Sequence, residues 1–527
     1  MKPKKPISGL KLALKTSIVS GMTLLSRILG LVRDIVFARF FGAGLLMDAF
    51  IVAQRIPNML RRFFAEGAFS AGFVPVMARY KEQHGHDEAG EFVDAMAGTF
   101  GAVLFVVTLI GVIGAPLLVL AVAPGFVGEG GDFDLAALML RFTFPYLFFV
   151  SLTAFAGGVL NTYGRFGVPA FTPVILNVVL IAAAIWVAPL LEQPIMALAY
   201  ATFIAGLIQL LFQIPFLARI HAIPRPRWRP QHEGVRRAFK LMVPAIFGSS
   251  VAQINVLLSG IIASLLPVGS FSYLYYSDRL MEFPLGLFGI ALATVTMPYL
   301  SRLWANEERG EFAQTLEWSM RVTVLISVPA AVGLVVLAAP LVITLFHGGE
   351  FDRNAADMTV LALQAYAVGL VGFSFVKILV PAFFAREDTR TPVRIGIIAL
   401  AVNLLLGATA AWYLTRIGFA GPHMALAAAT SFAALLNAVL LYRGLRRDDI
   451  LRHSPGWGLL LLRVALANAA MIAVLYTLHR SVGWWTDAGS LDRVVWLGVS
   501  VVAGAGIYFI ALVVLGLRPA QLRMRHS

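Results

Sequence analysis

Nine basic residues lie inside stretches otherwise apolar enough to cross a membrane: Arg27, Arg33, Arg55, Arg61, Arg62, Arg141, Arg279, Lys377 and Arg463. Their spacing is helical. Thr16, Ser20, Thr23, Arg27, Gly30 and Asp34 step by four and three and so share one helix face, with Ser26 and Arg33 on an adjoining ridge. Asp48, Arg55 and Arg62 recur every seven residues, and Tyr275, Arg279 and Glu282 share a face just before Pro284 and Gly286. Acidic partners at that depth are fewer: Asp34, Asp48, Glu66, Asp278 and Glu282.

Two readings compete. Charges near helix ends snorkel or pair off, which suits Arg55, Arg62, Glu66, Arg141 and Arg463. Arg279 with Glu282 also fits an intrahelical pair. As a set, however, Arg27, Arg33, Arg61 and Arg279 argue for function. One charge at mid-membrane costs about 2.5–3.5 kcal/mol on insertion scales, and several of one sign need a compensating role. Arginine presents a planar fork of donors that suits phosphate. The chemistry implied is a cationic cavity for an anionic, phosphate-bearing substrate, with solvent-accessible positions such as Ser26 and Ser272. The 527 residues include no cysteine, which excludes a thiol nucleophile, disulfides and Cys-ligated metal, and no P-loop pattern is present. No nucleophile–base constellation stands out, so no enzymatic activity and no cofactor are expected.

The elements that must position these charges are membrane helices. Hydrophobic residues make up 59% and charged residues 13%, and the mean hydropathy is +0.82, well outside the soluble range. Fourteen segments are long enough to span: 14–40, 46–78, 92–121, 135–160, 168–190, 195–218, 238–265, 271–301, 322–346, 357–384, 395–415, 422–442, 457–479 and 494–516. The stretch after the five lysines that end at Lys15 holds Arg27, Arg33 and Asp34, so it reads as a retained first helix, not a cleaved signal. Alternating the loops places 28 Lys/Arg on the side of the termini and 5 on the other. That bias predicts both termini in the cytoplasm. The net charge of +14 is thereby accounted for by loop bias, without nucleic acid as a partner.

The chain also repeats itself. GAFSAGFVPVMARY at 67–80 aligns with IALATVTMPYLSRL at 290–303, Pro169 with Pro392, and ALAYATFIAGLIQ at 197–209 with ALAAATSFAALLN at 425–437. Each copy covers six spans, so the copies enter the membrane from the same side as parallel repeats. The expected organisation is an all-α polytopic membrane protein of 14 transmembrane helices. It has a six-helix lobe over 1–222, a second over 223–450, and helices 13–14 with a tail over 451–527. Two facing lobes suit alternating access.

The strings SRILGLVRD at 26–34, FGAGLLMDAF at 41–50, RIPNMLRRFFAEGAFSAGFVPV at 55–76 and YYSDRLMEFPLGLFGIAL at 275–292 closely resemble the MurJ (MviN) family, the lipid II flippase branch of the MOP exporter superfamily. PGF at 124–126, NTYGRFGVPAFTP at 161–173 and KILVPAFF at 377–384 extend the resemblance over about 15–517. It implies a MATE-like architecture with a hydrophobic groove formed by the last two helices. It implies flipping of lipid II, the undecaprenyl-diphosphate-linked peptidoglycan precursor, from the inner to the outer leaflet of the bacterial cytoplasmic membrane, in the service of cell wall synthesis. The family's cavity arginines map onto Arg27, Arg33, Arg61 and Arg279, with Ser26, Asp34, Asp48, Glu66, Glu282 and Lys377 in support. Expected partners are lipid II, membrane lipids and the cell-wall synthesis and division machinery. The drive is left to the membrane potential or a coupling ion. The sodium site that some members build on a span-7 aspartate has no counterpart, because 240–266 holds no acidic residue. Alternatives are a flippase for another diphosphate-linked glycan and a multidrug cation antiporter, whose cavity would favour carboxylates.

Overall fold

A computed structural model describes residues 9–83, 85–128, 132–286, 290–451 and 455–517. The lysines before Gly9 and the basic C-terminal tail lie outside the described residues, as do the side chains of 10–16, 18, 68, 86, 247–252 and 290–296. Among the described residues the chain is helical, with one isolated bridge between Gly348 and Phe351. Its contacts divide it into two units, Met1–Phe271 and Ser272–Ser527.

In the first unit the helices are α1 (Gly9–Phe41), α2 (Leu45–Phe64), α3 (Gly67–Gln83), α4 (Gly85–Ile113), α5 (Ala115–Val122), α6 (Phe133–Thr143), α7 (Tyr146–Thr162), α8 (Gly167–Ala182), α9 (Met196–Ala218) and α10 (Glu233–Ser264). Phe69, Phe73, Phe92, Phe100 and Phe155 form its aromatic centre, with the Phe69–Phe73 and Phe69–Phe100 rings stacked at 5.1 Å. Such offset ring pairs add to the burial of their own area. Helix α10, which opens the second repeat copy, packs on α3, α4 and α5 and belongs to this unit. Gly234 lets it approach the Tyr80 and Phe92 rings.

The second unit contains nearly all of α11 (Ser270–Pro284), then α12 (Ile290–Ala305), α13 (Arg309–Val336), α14 (Ala338–Phe346), α15 (Arg353–Phe384), α16 (Arg390–Arg416), α17 (Met424–Arg447), α18 (Trp457–Thr477), α19 (Val482–Asp487) and α20 (Ser490–Val514). Helices α15 and α17 meet closely because Gly372 faces the backbone of Ala434 and Leu435. The final pair, α18 and α20, pack on each other, and both contact α13. The Tyr508 hydroxyl on α20 donates to the Leu325 carbonyl of α13 at 2.9 Å.

Ten of these segments are long and apolar enough to cross a membrane by length and composition. The expected spans 14–40, 46–78, 238–265 and 271–301 are mostly helical among the described residues but fall outside that set, so the count of fourteen rests on the sequence reading. These four segments carry many of the intramembrane charges. One of them is interrupted among the described residues: 46–78 is split between α2 and α3 at Ala65–Glu66. Helix α2 runs on through Pro57, so the proline is not where that span breaks.

Candidate functional site

The charged residues of the first unit form separate local groups. Arg33 on α1 places Nε and Nη2 on Asp34 Oδ1, at 3.0 and 2.7 Å, and its Nη1 donates to Asn177 Oδ1 of α8 at 3.1 Å. Asn177 Nδ2 in turn donates to the Ser26 carbonyl at 3.0 Å. Asp34 is 2% exposed, so a carboxylate that would be costly alone is held beside its cation. The Phe37 ring lies 5.6 Å from the guanidinium carbon. Ser26 is half-buried and Arg27 exposed on the same helix, and Arg27 makes no ion pair among the described residues.

Arg61 and Glu66 pair across the break between α2 and α3. Both keep solvent access, with side chains 28% and 51% exposed, and the Ala65 N–H closes the last turn of α2 on the Arg61 carbonyl. Buried Tyr146 lies beside Gln209 and within electrostatic reach of Arg61, Glu66 and Arg33. Asp48 is elsewhere: 3% exposed at the start of α2, it accepts the Gly269 N–H on Oδ2 at 2.7 Å. Arg55 packs over the Phe271 ring at 5.3 Å and against Gly260 of α10. Arg62 and Arg141 are exposed.

In the second unit Arg279 pairs with Glu282 at 3.2 Å, one turn apart on α11, and its guanidinium lies 5.1 Å from the Tyr275 ring centre. Lys377 is half-buried on α15. Arg463 of α18 abuts Gly516, just past the end of α20, where a cation faces the negative end of a helix dipole. Ser272 is fully buried, contrary to the accessibility expected of it; Arg279 and Glu282 are the accessible residues on that helix.

Three of the four candidate arginines therefore have a carboxylate partner, and Arg27 does not. An arginine already shared with one carboxylate can still exchange that partner for phosphate, since both accept the same fork. Sequence reading missed Asn177 and Tyr146. Asn177 had a signal, because it is the one amide in the span 168–190, and amides in membrane helices usually bond a neighbour. Tyr146 had none.

The site sits in an all-helical, polytopic membrane protein. The fold matches that of an inward-facing multidrug MATE transporter of the MOP superfamily with a TM-score of 0.65, at 14% identity over 82% of this chain and 98% of the other. A lipid II flippase MurJ in an inward closed conformation matches with a TM-score of 0.74, at 25% identity over 94% and 99%. The chain belongs to the lipid II flippase MurJ family, whose model matches residues 37–495. It is 44% identical to the probable lipid II flippase MurJ of Haemophilus influenzae over 95% of this chain and 99% of the relative. It is 43% identical to the lipid II flippase MurJ of Burkholderia cenocepacia over 96% and 98%.

Proposed function

We propose that this protein moves lipid II from the inner to the outer leaflet of the bacterial cytoplasmic membrane by alternating access. The carrying observation is the full-length similarity to proteins named lipid II flippases, 44% identity over 95% of this chain, and it is supported by Arg27, Arg33 and Arg61 on α1 and α2, helices of an apolar bundle. The diphosphate is the group such forks bind best. Arg27 makes first contact, and Arg33 and Arg61 exchange their carboxylates for phosphate oxygens as the substrate enters; Arg279 of the second unit can make the same exchange with Glu282. Asp34, Glu66 and Glu282 take the arginines back when it leaves. No covalent step is required, and the polyprenyl tail stays in lipid or along the α18–α20 pair.

Both termini face the cytoplasm in this reading, supported by 28 basic residues against 5 across the loops. A potential negative inside contributes about 2.3 kcal/mol per charge per 100 mV and favours outward movement of an anionic head. The decisive experiment depletes the protein and measures how much lipid II becomes accessible to an externally added lipid II-cleaving enzyme. Unchanged exposure on depletion rejects the function. A cysteine at Arg227 that labels only from the periplasm rejects the orientation.

A further inference from the structure

The connection between α9 and α10 reads Ala-Ile-Pro-Arg-Pro-Arg-Trp-Arg-Pro over 222–230. Proline at 224, 226 and 230 removes alternate donors and holds Ile223, Arg225 and Arg229 extended. The backbone N–H groups of the three arginines all donate to α4. Arg225 N donates to Asp94 Oδ1 at 2.7 Å, Arg227 N to the Asp94 carbonyl at 3.0 Å, and Arg229 N to Thr99 Oγ1 at 3.3 Å. Gly98 has no side chain where the Arg227 backbone crosses it, and a Cβ there would overlap that backbone. The segment is a fixed strap, and Arg225, Arg227, Trp228 and Arg229 are all exposed on it.

Its depth follows from α4. No charged residue occurs from Ala95 to Ile113, and these 19 residues rise about 28 Å at 1.5 Å each. That matches a hydrocarbon core of about 30 Å. Asp94 and the strap bonded to it therefore sit at the level of the lipid headgroups. Asp87, Glu88 and Glu91 on the first turns of α4 lie farther out. Arg227 has Asp94 as a carboxylate partner, with 3.8 Å between Nε and Oδ2. Arg225 and Arg229 have none among the described residues. Trp228 at this depth is what membrane interfaces favour, and arginine forks suit phosphate.

We propose that the 223–229 strap is a docking site for the headgroups of anionic phospholipids in the leaflet it borders, holding the α9–α10 connection to the bilayer. The proposal does not depend on which substrate the protein carries. It is tested on the full-length protein in nanodiscs. Ile223→Cys, the sole cysteine, carries a fluorophore, and acyl-brominated phosphatidylglycerol and phosphatidylcholine serve as quenchers. Phosphatidylglycerol should quench preferentially, by about five-fold per engaged arginine. Arg225→Gln with Arg229→Gln should bring the preference close to unity, and the two lysine replacements should retain most of it. On the unmutated strap, salt near 1 M, where the Debye length is about 3 Å, should collapse the preference. Equal quenching by the two lipids, or a preference insensitive to salt or to the glutamine pair, overturns the proposal. Displacement by inorganic phosphate at low concentration also overturns it, assigning the strap to free phosphate.

Discussion

Asp48 and Gly269 are 221 residues apart in the chain, yet the Asp48 carboxylate accepts the Gly269 N–H at 2.7 Å in a buried contact. Gly269 has φ +93°, a conformation only glycine adopts without strain. The bond ties the start of α2 to the turn that follows α10. Asp48→Ala should leave that N–H unsatisfied and lower stability by about 1–3 kcal/mol, and Asp48→Asn, which keeps an acceptor, should cost less. Thermal unfolding of the purified variants decides it; wild-type melting by both would show that the bond is not structural.

Arg27 and Arg33 lie on adjoining ridges of α1 but differ in partner, and that difference separates folding from transport. Arg33→Ala takes a close cation from the buried Asp34 carboxylate, so membrane abundance should fall, with about 3 kcal/mol as the scale for breaking a buried pair. Adding Asp34→Asn should restore abundance without restoring export. Arg27→Ala should keep abundance and still lose export. The measurement is abundance beside outward lipid II exposure, and normal export by Arg27→Ala would remove the cationic mechanism.

The pairs Arg61–Glu66 and Arg279–Glu282 are both solvent-accessible, and exposed pairs contribute at most about 1 kcal/mol. Glu66→Gln and Glu282→Gln should therefore melt nearly like the unchanged protein. Arg61→Ala and Arg279→Ala should lose export at undiminished abundance. A large stability loss in either alanine variant would return these arginines to a structural role.

Gly98→Val should lift the strap from α4, because the new side chain would occupy the path of the Arg227 backbone. Of the three arginines in 225–229, only Arg227 is not followed by proline, so trypsin reports on one bond there, Arg227–Trp228. Cleavage at that bond should accelerate in the variant. If its rate is unchanged, the strap is not held at Gly98.

His232 caps α10 in its neutral form: Nδ1 accepts the Gly234 N–H at 3.2 Å. Burial, reinforced by the Arg229 charge, keeps its pKa below the ordinary 6.5, while Glu91 and Glu233 pull the other way. The cap's contribution is thus fully present above pH 6.5 and is lost as pH falls through the lowered value, since the unfolded chain takes up the proton first. Hydrogen exchange over 233–240 should quicken as pH drops below 6.5, after correction for intrinsic rates, and His232→Gln should flatten that dependence. The same pH response in the variant would place its origin elsewhere.

Composition and periodicity alone determined that this chain is a helical bundle in lipid, because an apolar content of 59% has no other solvent and each span is read over 20 adjacent residues. The repeat was legible for the same reason: Pro75 and Pro298 keep their places within local strings. The arginines were legible as anomalies, because a charge in an apolar run stands out without knowledge of its neighbours. Their partners were legible only when close in sequence, as with Arg279 and Glu282. That Arg33 reaches Asn177, that Arg61 and Arg33 share the surroundings of Tyr146, and that Asp48 finds Gly269 depend on which helices pack together. Ser272 shows the same limit, since its face on α11 was set by packing and not by spacing. So does the strap: 222–230 reads as a basic loop, and only its hydrogen bonds to Asp94 and Thr99 give it a fixed place and a depth. Periodicity selects the buried face of a helix; long-range packing decides what that face meets.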